Sequence, residues 1–84
     1  MVLDPPCGIS GFMTKETFLK NLGKRLAMLR EKRGLSQSEL ASRCDKDRQT
    51  INRLEKGGTN PSVYYLLQIA KELNVTLKEL LDFD

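Results

Sequence analysis

The stretch SQSELASRCDKDRQTINRLEKGG, residues 36–58, decides how this 84-residue chain folds. It opens with Ser36-Gln37-Ser38-Glu39, a capping box, in which each end of the tetrad satisfies a backbone N–H at the other. Leu35 and Leu40 flank the box as a hydrophobic staple, which fixes where the chain enters the helix. Leu40, Ala41 and Cys44 then share one helical face, and the helix ends near Cys44. Asp45 and Lys46 leave room only for a tight turn. Asp47 caps the next helix, which carries Ile51 and Leu54 inward and stops at Gly57-Gly58. Two short helices joined so tightly must cross steeply, and Ala41 is the small residue placed where their backbones approach.

The outward side of the second of these helices carries the chemistry. With Ile51 set at zero around the axis, Gln49 falls at about 160°, Arg53 at about 200°, Lys56 at about 140° and Asn52 at about 100°. Arg48 projects from the leading end. Arg, Gln and Asn can each make paired hydrogen bonds to base edges in the major groove of DNA. A face built only for solvent more often mixes Lys with Glu, and none of these outward positions is acidic. Arg48, Gln49, Asn52 and Arg53 are therefore candidate base contacts. Gln37, first in its helix, lies where unpaired backbone N–H groups attract an anion such as phosphate. Lys46, Thr50, Lys56, Thr59 and Asn60 complete the candidate phosphate contacts, which set position without reading sequence.

Outward from this centre the chain reads as further helices. Residues 15–33 place Phe18, Leu19, Leu22, Leu26 and Leu29 within a stripe about 100° wide, with Thr14 as N-cap and Gly34 as stop. Pro61-Ser62 opens a fourth helix with Val63, Leu66, Ile69, Ala70 and Leu73 on one side. Thr76-Leu77-Lys78-Glu79 is a second capping box, stapled by Val75 and Leu80, that starts a short fifth helix. The fold class predicted is all-α, five helices around one core, over residues 14–84. Residues 1–13, with Pro5, Pro6, Gly8 and Gly11 and no periodicity, read as a disordered lead, and Met13 as an alternative start.

These residues resemble a known family. Leu35-Ser36-Gln37-Ser38-Glu39-Leu40-Ala41, then Thr50-Ile51-Asn52-Arg53-Leu54-Glu55-Lys56-Gly57, then Asn60-Pro61-Ser62 are similar to the lambda-repressor-like, Cro/repressor-type helix-turn-helix of prokaryotes and phage. The likeness spans about Leu22 to Leu81. It implies a cytoplasmic, sequence-specific transcriptional regulator, a repressor that binds double-stranded operator DNA as a homodimer on a palindrome. It also implies phosphate contact at Gln37, base contact at Arg48, Gln49, Asn52 and Arg53, and a structural ion pair between Arg30 and Glu55. Controller proteins of restriction–modification operons share this size and headpiece. So do antitoxins, which would add a toxin as protein partner. The chain departs from the family at the turn, where Asp45 and Lys46 replace a glycine and an apolar residue. Asp tolerates the left-handed conformation better than most residues. Lys46 is expected to bury its stem and send its ammonium outward, which would loosen the turn or add a phosphate contact.

Composition narrows the remaining classes. Net charge is +3, but residues 15–33 hold seven Lys or Arg against two Glu, while residues 71–84 hold two Lys against four acids. A basic half suits a polyanion, although a solvated helix face looks the same. There is no His, and Cys7 and Cys44 lie far apart, so no zinc spacing and no disulfide framework is present. Cys44 reads as a small core residue. No cofactor, metal or membrane association is expected, and no nucleophile–base arrangement suggests an enzyme. Tyr64 and Tyr65 read as packing or dimer surface, with Tyr64, Leu81 and Phe83 as the exposed apolar candidates for a dimer contact.

Overall fold

A computed structural model describes residues 14–83; the expected disordered lead and Cys7 lie outside the described residues. Five helices follow in order: α1 (Lys15–Lys32), α2 (Gln37–Arg43), α3 (Arg48–Glu55), α4 (Val63–Glu72) and α5 (Leu77–Leu80). Among the described residues there is no strand.

Each helix starts on a side chain. Thr14, Ser36, Asp47, Ser62 and Thr76 sit in extended backbone and accept a bond from the N–H three residues on. Replacing such a cap by Ala typically costs about 1 kcal/mol. The two tetrads at Ser36 and Thr76 close as reciprocal capping boxes.

Helices α1 to α4 also end alike. The residue after each C-cap lies in the left-handed region: Gly34 (φ 74°), Asp45 (φ 58°), Gly57 (φ 77°) and Asn74 (φ 60°). The following N–H then reaches back to a carbonyl five residues earlier, as Lys46 does to Ala41 at 2.8 Å. This is the Schellman closure, which satisfies carbonyls the helix leaves open. At Gly57 no side chain would fit, because a Cβ there would lie 2.9 Å from the backbone of Lys20. At Asp45 the short polar side chain carries the strain instead, so the turn keeps its form without glycine.

The core gathers Leu22, Leu26, Leu40, Ile51, Leu54, Ile69, Leu73 and Leu80, all but removed from solvent. Burying each such side chain stabilises the fold by roughly 1.5–3 kcal/mol. Helix α3 packs on both α1 and α2, while α5 closes against α1 and α4. Arg25 Nε, donating to the Glu79 carbonyl at 2.9 Å, ties α1 to α5.

Two side chains are placed differently from their sequence pattern. Val63, expected on the inward side of α4, is 70% exposed. It is the first residue of the helix, and helical side chains lean toward the N-terminus, so its side chain leaves the packed turn. Phe83, expected as exposed dimer surface, packs instead on Phe18 with ring centroids 5.4 Å apart. That tilted contact closes the end of the chain over α1.

Candidate nucleic-acid interface

Helix α3 is seated by its inner side. Ile51 and Leu54 fill the core, and Gly23 of α1 lets the two backbones touch. A Cβ on Gly23 would collide with the carbonyl of Glu55 and lie 2.6 Å from that of Leu54. The small residue that matters for placing α3 is therefore Gly23 as well as Ala41. Its sequence signal is a glycine inside a helix, where it costs about 1 kcal/mol against Ala unless packing requires it.

Beside Gly23 lies a polar lock. Arg30 Nε donates to Glu55 Oε2 at 2.6 Å and Arg30 Nη2 to Glu55 Oε1 at 3.1 Å. A third donor, Nη1, caps the Leu35 carbonyl at 2.8 Å. Only 11% of the Arg30 side chain and 7% of Glu55's are exposed. The bond to Glu55 pushes the guanidinium still further above its ordinary range, so the cation is permanent. The lock continues outward. Gln37 Nε2 donates to Glu55 Oε1 at 2.9 Å, and Asn52 Nδ2 donates to Gln37 Oε1 at 3.3 Å.

With Glu55 drawn inward, the solvent side of α3 has no acidic side chain on it. Arg48, Gln49 and Arg53 are exposed there, with Lys56 following at the C-cap. Asn52, on the flank, is half-buried, in keeping with its angle from Ile51. The candidate phosphate contacts are more varied. Lys56 and Asn60 are exposed and Thr59 is half-buried. The Thr50 hydroxyl donates to Asp47 Oδ1 at 2.7 Å, so its proton is engaged in the cap. Those two bonds from Thr50, with the backbone N–H at 2.8 Å, hold the Asp47 carboxyl below its usual range. Lys46 is exposed, and its ammonium lies 5.2 Å from the centroid of the Tyr65 ring. Tyr65 itself packs against the core, and burial pushes its hydroxyl up to about 12. The side chain of Gln37 is the surprise, since both ends of its amide are held by protein.

Comparison with known proteins is consistent with this geometry. The helix-turn-helix family profile matches residues 26–80. An HTH-type transcriptional regulator of Sinorhizobium fredii is 38% identical over 61 residues, which is 73% of this chain and 79% of that protein. The chain belongs to the helix-turn-helix family of transcriptional regulators. Among solved structures, the restriction–modification controller protein C.AhdI of Aeromonas hydrophila superposes with TM-score 0.72 at 37% identity. That match covers 74% of this chain and 94% of C.AhdI. SinR, solved in complex with DNA and described as a master regulator for biofilm formation, matches with TM-score 0.67 at 32% identity, over 73% of this chain and 98% of that one. Its counterpart among curated proteins is from Bacillus subtilis. Among the described residues no helix is long and apolar enough to cross a membrane.

Proposed function

We propose that this regulator is a homodimeric repressor that reads a palindromic operator by placing α3 in the major groove. The observation that carries the reading is the outer side of α3, where Arg48, Gln49 and Arg53 are exposed and the helix's one carboxylate is withdrawn into an ion pair. Arg48, Gln49, Asn52 and Arg53 meet base edges. Lys46, Thr50, Lys56, Thr59 and Asn60 line the flanks that would run along phosphate, whereas the Gln37 amide is engaged by Glu55 and Asn52. The DNA complex of SinR supports DNA as the ligand by likeness. One such helix spans too few base pairs to be selective, so two protomers would bind half-sites about 34 Å apart. A role as controller of a restriction–modification operon is a second reading, favoured by the likeness to C.AhdI.

Duplex binding measured against salt tests the proposal. Several phosphate contacts release counterions, so log K should fall linearly with log salt, by close to one unit of slope per phosphate. A flat response, or a strict one-to-one complex with the operator, contradicts it. Binding to the protein's own promoter beside a restriction gene would support the controller role.

A further inference from the structure

The chain of hydrogen bonds from Arg30 to Asn52 has a direction. Glu55 is a carboxylate and can only accept. It therefore requires the NH2 end of the Gln37 amide, and takes it at 2.9 Å. This leaves Gln37 Oε1 facing the other way, where it accepts from Asn52 Nδ2 at 3.3 Å. Turning Gln37 over would set its oxygen against the Glu55 carboxylate. Turning Asn52 over would set two amide oxygens against each other. Neither amide can flip without opposing like partial charges in a part-buried site, where such contacts are costly. Glu55 is itself fixed by two bonds from Arg30.

We infer that Gln37 is a positioning residue for DNA reading, which fixes the polar atoms Asn52 offers to a base edge. Asn52 keeps one N–H and its carbonyl oxygen, and Oδ1 takes no hydrogen bond among the described residues. An acceptor and a donor side by side match N6–H and N7 of adenine in the major groove. Asn52, anchored in this way, reads an A·T pair with no rotamer or flip left to fix on binding. The inference rests on the proposal that α3 enters the major groove. It departs from a simple phosphate role for Gln37, in which the amide would be spent on a contact that carries no sequence information.

The experiment selects duplexes from a randomised pool with the full chain, then measures affinity for the selected site and for each single base-pair change. Gln37→Lys is the informative variant. Lysine still donates to Glu55 and still attracts phosphate, but it cannot accept from Asn52. Gln37→Met keeps the shape and loses both bonds. Asn52→Ala should flatten the preference at one A·T pair, by about 5–100-fold. Gln37→Lys should flatten the same pair while holding affinity for scrambled duplex, and should add little in the Asn52→Ala background. If Gln37→Lys keeps the full base preference, or Gln37→Met weakens selected and scrambled duplex equally, Gln37 acts on phosphate and the inference is overturned. Flattening at a different base pair overturns it too. Failure of the pool to enrich any sequence is a separate outcome, which overturns the major-groove reading together with the inference.

Discussion

Helices α3 and α4 are close in length and present opposite outer sides to solvent. Outside, α3 offers Arg48, Gln49 and Arg53, whereas α4 offers Val63, Tyr64 and Leu67, at 70%, 69% and 50% exposure. Inside, α4 is held by aliphatic packing of Leu66, Ile69 and Ala70. Helix α3 has only Ile51 and Leu54 in the core, and adds a glycine contact and a buried ion pair with α1. The difference teaches where each helix's job lies. A helix that must present charged and amide groups at fixed angles is located by rigid, directional contacts. An apolar outer side needs no such alignment and suits a protein partner, which the dimer proposal supplies.

The largest effect should come from breaking the directional seat of α3. Arg30→Met strands the Glu55 carboxylate in a buried site and should cost about 3–5 kcal/mol in urea unfolding. An unchanged midpoint would reduce the pair to an accessory of packing. Next, Gly23→Ala drives a methyl group into the carbonyls of Leu54 and Glu55. A loss of about 2–3 kcal/mol is expected, and it should lower DNA affinity further by moving α3.

Changes on the two outer sides should leave folding alone and separate the functions. Gln49→Ala should weaken binding to the selected operator by roughly 1–3 kcal/mol, with little change on random duplex. Tyr64→Ser with Leu67→Ser should shift monomer stability by less than about 0.5 kcal/mol. Sedimentation of that variant with operator should show a weakened dimer, and an unaltered dimer would move the self-association surface elsewhere.

The smallest effect concerns the caps. Helix α3 is capped by Asp47, whose folded carboxyl is held low by Thr50, while α4 is capped by Ser62, which does not titrate. A depressed carboxylate contributes stability above its unfolded value, near 3.9, and that contribution is lost as pH falls through the lower folded value. In an acid titration followed by NMR, the Thr50 amide should respond before that of Tyr65. The reverse order would deny Asp47 its capping role.

Much of this was legible in the sequence because the signals are local. The caps at Ser36, Asp47 and Thr76 act across three residues, and Asp45-Lys46 is too short a connection for anything but a tight turn. The inward stripe of α3 and the outward placing of Gln49 and Arg53 follow from periodicity alone. Less legible was whatever depends on a neighbour distant in the chain. Gly23 reads as a weak point in α1 until Glu55 is brought against it. Val63 continues an apolar stripe by angle, yet its place at the helix start leaves it uncovered. Phe83 meets Phe18 only after α5 folds back over α1. Gln37 shows the same limit most plainly. Its position at a helix start suggests an anion, but a carboxylate eighteen residues away claims its amide.

The central claim, that α3 and the residues flanking it meet DNA, is tested most directly by following backbone and side-chain amide shifts as selected duplex is added. The account predicts that Arg48, Gln49, Asn52, Arg53 and the 56–60 loop move first and furthest, and that the Asn52 side-chain amide shifts with them. It would be contradicted if those residues kept their free positions at saturation while the strong shifts fell elsewhere, for instance along the basic length of α1.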